Sequence, residues 1–180
     1  MPETSSEIQP YSEINANTSA KELSESDYRL LENIGHGHFG EVYKAVLKTI
    51  NTGKLVAVKL LKEKNTEVDK KEFFREIETM QVVPQHENVV AMLGYCKTAA
   101  RAFLVLEYLG NGNLKTYLRK SRSSNIYGNL HGGSGKLTSK DLLSFALGSA
   151  SGMAHIAKHK VVLLHHTVCR IYVLNICQFN

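Results

Sequence analysis

A glycine-rich segment near the start of the chain constrains the fold more than any other feature. Residues 35–42 read Gly-His-Gly-His-Phe-Gly-Glu-Val and follow the pattern G-x-G-x-x-G-x-V. Glycines allow a backbone to approach phosphate oxygens closely and to offer its N–H groups without side-chain obstruction. The segment is therefore a candidate phosphate-binding loop.

The residues that follow the glycines decide which kind of loop this is. A dinucleotide-binding fold requires a helix there, because the helix N-terminus holds the pyrophosphate. Here residues 42–47 are β-prone, and Asn51-Thr52-Gly53 is typical of a hairpin turn. The pattern therefore predicts a loop that joins two antiparallel strands.

Hydrophobic periodicity predicts the elements of the first half of the chain. The predicted strands are residues 28–34, 42–47, 55–61, 88–95 and 102–108. Phe73, Ile77 and Met80 recur at helical spacing, and Pro84 ends that helix. This order predicts an antiparallel α+β unit.

The two ends of this unit have different compositions. Residues 1–26 are polar and predict a disordered acidic leader, with order beginning near Tyr28. Toward the other end, Thr138 or Ser139 can cap a long helix that carries Asp141 in its first turn.

Two charged side chains stand beside apolar patterns. Lys59 follows the apolar run of the third strand, where a buried ammonium needs a phosphate or a carboxylate as a partner. Glu76 lies beside the apolar stripe of the first helix and can face the sheet; Glu72 and Glu78 are rival candidates. A loop, a lysine and a glutamate together predict a phosphate site.

In order, spacing and secondary structure, these features resemble the N-lobe of the protein kinase family. Further matches are His-Glu-Asn-Val-Val at 86–90, Leu-Gly-Tyr-Cys at 93–96 and Leu-Val-Leu-Glu-Tyr at 104–108. The resemblance covers residues 28–162. It implies an α+β fold, with a five-stranded antiparallel sheet, one helix and the start of a helical C-lobe.

The resemblance also implies an ATP site. Leu106 would be the gatekeeper behind the adenine, Lys59 would grip the phosphates, and Glu76 would orient Lys59. The nucleotide-binding residues it implies are Ile34, Gly35, Gly37, Phe39, Gly40, Val42, Ala57, Lys59, Glu76, Leu106, Glu107 and Leu109.

Two segments resemble tyrosine kinases in particular, Gly-Asn-Leu-Lys-Thr-Tyr-Leu-Arg at 112–119 and Lys-Asp-Leu-Leu-Ser-Phe-Ala at 140–146. The loop between them lies where growth-factor-receptor kinases carry an insert. Tyr127 in this loop has Asn two places later, a pattern that resembles docking sites for phosphotyrosine-reading adaptors. Tyr11 is a weaker candidate. Such an adaptor, or another kinase, is the predicted protein partner.

The sequence departs from the family after residue 162, where the family pattern is His-Arg-Asp-Leu-x-x-x-Asn. If His165 takes the first place, Thr167 replaces the catalytic Asp and Tyr172 replaces the metal-binding Asn. No other register restores the motif, because no Asp or Glu follows Asp141. We therefore expect no intact catalytic residue and no protein ligands for the Mg²⁺ that the family uses with ATP.

The domain interpretation follows: a leader over 1–26, a partial kinase domain over 27–162 that is truncated after the first C-lobe helix, and a divergent tail over 163–180. We expect nucleotide binding with little or no turnover. The alternatives are a pseudokinase-like scaffold or a non-functional gene fragment. The tail's histidines and cysteines match no standard zinc pattern.

Charge and composition limit the partners and the compartment. The net charge is +5, but no basic stripe with interleaved aromatics predicts nucleic-acid binding. No apolar run reaches the roughly 18 residues of a membrane helix. Three cysteines without framework spacing suggest a reducing compartment. These features predict a cytoplasmic protein, or the cytoplasmic part of a membrane receptor.

Overall fold

The computed structural model describes residues 20–36, 40–48, 53–62, 64–98, 100–121 and 137–159. Several sequence-based predictions therefore lie outside the described residues. These are the predictions for the leader up to residue 19, which includes Tyr11, and for the tail, which includes Thr167. Gly37 and Phe39 of the glycine loop and Tyr127 also lie outside the described residues.

Six strands and three α-helices make up the described part of the chain. The strands are β1 (Lys21–Glu22), β2 (Tyr28–His36), β3 (Gly40–Leu47), β4 (Lys54–Leu61), β5 (Met92–Lys97) and β6 (Ala102–Glu107). The helices are α1 (Glu67–Val82), α2 (Leu114–Ser121) and α3 (Ser139–Lys158), and a 3-10 turn covers Glu25–Asp27. The predicted α+β class is confirmed.

The strands form one sheet in the order β1-β5-β6-β4-β3-β2. All neighbouring pairs are antiparallel except β1 with β5, which is parallel. β2 and β3 are antiparallel neighbours on either side of the glycine segment, as predicted. The sheet thus has the five predicted antiparallel strands and one short strand that the sequence analysis did not foresee.

Side chains alternate between two faces of the sheet, as the strand geometry requires. One face, here called the site face, carries Val42, Lys44, Ala57, Lys59, Leu104 and Leu106, which are paired across β3, β4 and β6. Its core continues into Phe73 and Ile77 of α1. The opposite face carries Val56, Val58, Phe103 and Val105.

The opposite face is covered by residues that we predicted to be disordered. Leu23 is only 6% exposed and packs in the same cluster as Tyr28, whose ring meets that of Phe103 edge-on with the centroids 5.0 Å apart. The Leu23 amide donates to the carbonyl of Tyr95. The prediction that order begins near Tyr28 is therefore wrong for residues 20–27, because the burial of Leu23 and the pairing of β1 with β5 hold them on the sheet.

The fourth predicted strand is also shifted. We predicted residues 88–95, whereas β5 runs from Met92 to Lys97. Val89 and Val90 are buried, with 7% and 4% of their surface exposed, but they lie in the turn before the strand. Their apolar character reflects contact with the core rather than strand structure.

The helix starts follow the capping rules. The hydroxyls of Thr66 and Thr138 accept from the backbone N–H of Asp69 and Asp141, and each Asp carboxylate accepts from the backbone N–H of the capping threonine. This confirms Thr138 rather than Ser139 as the cap of α3. Within the described ranges, no helix is long and apolar enough to cross a bilayer.

Candidate functional site

A fully buried ion pair lies at the centre of the site face. The Lys59 ammonium is 2.7 and 2.6 Å from the two carboxylate oxygens of Glu76. The Lys59 side chain is 0% exposed and that of Glu76 is 5% exposed. The ammonium also lies 5.5 Å from the centre of the Phe73 ring. Burial at this level is tolerated because each charge is paired and hydrogen-bonded.

The sequence alone left three glutamates as candidates for this pair. Glu76 shares the inner side of α1 with Phe73 and Ile77, all three being buried. Glu78 instead forms a surface ion pair with Lys97. Since α1 places Glu76 one turn beyond Phe73, the apolar stripe and the glutamate point toward the same strand.

The base of the glycine loop is held by different contacts at its two ends. A Cβ at Gly40 would lie 1.9 Å from the backbone oxygen of Leu60, so only glycine fits against β4 at this position. Gly35 has open space around it and donates its N–H to the side chain of Asn33. Of these two glycines, Gly40 is required by packing, whereas Gly35 leaves backbone accessible.

The predicted adenine-site residues converge at one end of the site face. Ala57 of β4 lies beside Leu106 of β6, and Val42 of β3 lies beside Lys59. Leu109 packs against the same cluster from the segment after β6. Ile34, at the end of β2, is 44% exposed. The structure thus brings Val42, Ala57, Lys59 and Leu106 onto one surface.

Glu107, the last residue of β6, forms two hydrogen bonds with Ala91, which lies just before β5. Its amide donates to the carbonyl of Ala91 at 3.0 Å, and its carboxylate accepts from the amide of Ala91 at 2.9 Å. Glu107 is only 6% exposed. These bonds fix the end of β6, and with it the backbone from Glu107 to Leu109.

A cluster around Lys44 was missed by the sequence analysis. The Lys44 ammonium is 3.2 Å from the Glu32 carboxylate and 5.2 Å from the centre of the Tyr108 ring. The hydrogen bond that Lys44 donates to Glu32, followed by the charge interaction with Tyr108, raises the pKa of Lys44. The sequence places Lys44 two residues after Val42 and therefore on the same face of β3, but it does not indicate Glu32 and Tyr108 as its partners.

Among the described residues, the site offers a cation, the two ends of the glycine-rich segment and an apolar surface formed by Val42, Ala57 and Leu106. This combination suits a ligand with an anionic end and a flat apolar end. Within the described residues, the Glu76 carboxylate is bonded to Lys59 and is therefore not an open ligand for a metal ion. Among the residues that the structure describes, no three His, Cys, Asp or Glu side chains are arranged to hold a metal.

Comparison with known proteins is consistent with this geometry. Residues 28–174 match the family model described as protein tyrosine and serine/threonine kinase. This range includes the glycine segment, the Lys59–Glu76 pair and the strand that ends at Glu107. The chain therefore belongs to the family of protein tyrosine and serine/threonine kinases.

Three of the similar curated proteins are receptors by name. The chain is 43% identical over 132 residues to the tyrosine kinase receptor Cad96Ca of Drosophila melanogaster, which covers 72% of the chain and 17% of the receptor. It is 35% identical over 161 residues to a fibroblast growth factor receptor of Halocynthia roretzi, covering 78% and 21%. A fibroblast growth factor receptor 1 of Pleurodeles waltl is 33% identical over 137 residues, covering 72% and 17%. The chain spans about a fifth of the length of these relatives.

Proposed function

We propose that this chain binds ATP on the site face and that, as its sequence stands, it transfers little or no phosphate. The Lys59–Glu76 pair is the observation that carries the first part. The structure buries a lysine at the centre of a site with a glycine-rich turn, and Glu76 holds its ammonium in one position. In the kinase family this lysine contacts the nucleotide phosphates.

The adenine would lie in the slot between Val42, Ala57 and Leu106. The backbone from Glu107 to Leu109 would supply its hydrogen bonds. The amide and side chain of Glu107 are already bonded to Ala91, so Glu107 would contribute through its carbonyl. The phosphates would extend from this slot toward Lys59 and the glycine turn. Each of these assignments combines the geometry above with the role of the matching family residue.

The second part of the proposal rests on the sequence after α3. Phosphoryl transfer in this family uses an Asp to accept the substrate proton, and Mg²⁺ bound by an Asp and an Asn. At the matching positions this chain has Thr167 and Tyr172, and no carboxylate follows Asp141. A positioned acid or base contributes about 10²–10⁴ in rate, so we expect the loss to reduce turnover to background.

The receptor relatives suggest a setting for this domain. We propose that it corresponds to the cytoplasmic tyrosine kinase domain of a receptor-type protein. If it does not transfer phosphate, its role is that of a nucleotide-binding interaction module, in the manner of a pseudokinase. The missing carboxylates are the observation that favours this second candidate.

A fluorescent ATP analogue tests the binding site. The wild-type chain should bind it and release it to excess ATP. The double variant Lys59→Met/Glu76→Gln removes both charges together, so that no carboxylate is left buried without its cation; we expect at least a tenfold weaker Kd. Lys54→Met, at the other end of β4, is the matched control and should bind like wild type.

Equal affinity in wild type and the double variant would contradict the ATP site. A separate phosphotransfer assay, with a tyrosine-containing polymer as acceptor and Mg²⁺ present, distinguishes the enzyme from the binding module. We expect no transfer above the level of heat-treated protein. Transfer that depends on Lys59 would overturn the second part of the proposal and leave the first intact.

A further inference from the structure

Three imidazole rings meet where the loop after α1 contacts α3. The rings of His86 and His155 are stacked, with their centroids 4.5 Å apart and their planes at 28°. His159, one turn further along α3, lies 4.8 Å from His155. We call these three residues the histidine stack.

The loop and α3 approach each other closely at this point. A Cβ at Gly152 would lie only 2.8 Å from the carbonyl oxygen of Asn88, so the contact requires glycine in α3. Asn88 is 8% exposed and Ile156 is 2% exposed, although His86 and His155 remain half-buried. The histidine stack therefore lies at the solvent-accessible edge of a tightly packed contact.

Hydrogen bonds define the protonation of two of the rings. Nδ1 of His86 accepts from the backbone N–H of Asn88 at 3.1 Å, so this nitrogen carries a lone pair and no proton. Nε2 of His155 lies 2.9 Å from the carbonyl oxygen of Pro84, which can only accept. His155 must therefore carry its proton on Nε2. The arrangement is satisfied with His86 neutral, its Nε2 facing the hydroxyl of Ser151 at 3.4 Å.

Protonation of His86 would disturb this arrangement in two ways. A proton on Nδ1 would replace the lone pair that accepts from Asn88. It would also add a positive charge next to His155, so that protonation of both rings would place two cations 4.5 Å apart.

The charged neighbours are few on both elements. On its own loop, His86 is followed by Glu87, whose carboxylate favours the charged ring, and from α3 it faces His155. On α3, His155 faces His159, which follows Lys158 in the sequence. Burial, with a smaller contribution from His155, lowers the pKa of His86 from its ordinary value of 6.5.

We propose that the histidine stack is a pH-sensitive contact between the loop at residues 84–90 and α3, closed when its rings are neutral and weakened when they are protonated. In the described ranges no metal-binding cluster competes with this assignment. The proposal concerns the packing of α3 and does not depend on nucleotide binding.

The direction of the effect follows from linkage. Because the pKa of His86 is lower in the folded chain, the unfolded chain binds more protons at a pH just below 6.5. The contribution of the contact is thus complete above pH 6.5. It falls as the pH drops from 6.5 toward the folded pKa of His86.

Nuclear magnetic resonance of the full chain between pH 5 and 8 tests the proposal. The amide of Asn88 should shift with the same midpoint as the ring of His86, and this midpoint should lie below 6.5. The variant His155→Gln keeps a donor for the Pro84 carbonyl but cannot take up a proton. We expect it to raise the His86 midpoint, because the charge interaction with His155 that lowers the pKa of His86 is removed.

The thermal midpoint at pH 7.5 and 5.5 gives an independent measurement. Its drop on acidification should be smaller in His155→Gln than in wild type, and His36→Gln, at an exposed histidine outside the stack, should retain the wild-type drop. If the Asn88 amide of the wild-type chain does not shift with pH, this result by itself overturns the proposal. An unchanged His86 midpoint in a folded His155→Gln chain would overturn it as well.

Discussion

The two faces of the sheet are made from alternate residues of the same strands, yet they are built in different ways. The site face buries Lys59 and Glu76 as a pair among apolar side chains. The opposite face has an aliphatic and aromatic core, and part of it is supplied by Leu23 from the segment before β2. Helix α1 packs on the first face, whereas Leu23 and Tyr28 pack on the second.

Alternate residues of the same strand therefore serve different purposes: those on the site face form the candidate site, and those on the opposite face stabilise the fold. Val58 and Lys59 are neighbours in sequence and both 0% exposed, but they project to opposite faces. A change at Lys59 affects a charge that needs a partner. A change on the opposite face affects only packing. The predictions below test whether the two faces respond as independently as this arrangement implies.

The largest loss of stability is expected when only one charge of the buried Lys59–Glu76 pair is removed. Lys59→Met leaves the Glu76 carboxylate buried without this cation, which typically costs about 3–5 kcal/mol. Lys59→Met/Glu76→Leu removes both charges and should recover most of that loss, since an apolar pair of similar volume is often neutral. Urea unfolding followed by circular dichroism measures both.

The informative quantity is the coupling between the two positions. If Lys59→Met and Glu76→Leu each destabilise the chain and their effects simply add, the pair makes no net interaction and the site face is an ordinary core. Lys54→Met on the same strand should change the free energy of unfolding by no more than about 0.5 kcal/mol.

A smaller effect is expected on the opposite face. Leu23→Ala should cost about 2 kcal/mol, the low end for a buried leucine, because β1 is short and can detach as a unit. The affinity for the ATP analogue should not change, since Leu23 does not contact the site face. Leu30→Ala, at a residue that is 37% exposed on β2, is the control and should be nearly neutral.

Gly94 provides a second way to displace the same strand. A Cβ there would lie 2.3 Å from Cδ1 of Leu23 and 2.9 Å from the backbone oxygen of Lys21. Gly94→Ala should therefore destabilise wild type more than it destabilises Leu23→Ala. A weaker nucleotide affinity in either single variant, with the protein folded, would show that the two faces are not independent.

The sequence was sufficient for most of the sheet. Alternation and turn signals identified five strands. The strand-end lysine and the helix stripe predicted a charged partner among three glutamates, and the resemblance to the kinase family favoured Glu76. The errors have one physical cause. Val89 and Val90 were assigned to a strand and Leu23 to a disordered leader, because apolar content does not say which tertiary surface a residue meets.

The Lys44 cluster was missed for a different reason. Its partner Glu32 lies where the pairing of β2 with β3 shifts between Leu30 and Asn33. A register shift of this kind exchanges the faces of the following residues, and no local pattern predicts it. Tyr108 joins the cluster only through the folding of the chain after β6. The core of the site was therefore predictable and its rim was not.

The smallest expected effect concerns how the opposite face is held at low pH. The backbone N–H and hydroxyl of Ser24 both donate to the Asp27 carboxylate and lower its pKa from the ordinary value of 3.8. Because the folded pKa is depressed, this contribution is complete above 3.8 and is lost as the pH falls through the folded pKa. Asp27 ends the short turn that follows Leu23 and Ser24, so its protonation should loosen the same cover that Leu23→Ala removes.

The comparison of wild type with Asp27→Asn between pH 6 and 3 measures this effect. The asparagine cannot titrate, so its stability should fall less steeply below pH 4 than that of wild type. Asp141→Asn removes the equivalent carboxylate from the cap of α3, far from the opposite face, and serves as the matched control. The Leu23 amide, which is bonded to Tyr95, should lose exchange protection on acidification in Asp141→Asn as it does in wild type. If Asp27→Asn and Asp141→Asn both reduce the acid-induced loss of exchange protection at the Leu23 amide to the same extent, the opposite face is coupled to α3. The two regions would then fold as one unit.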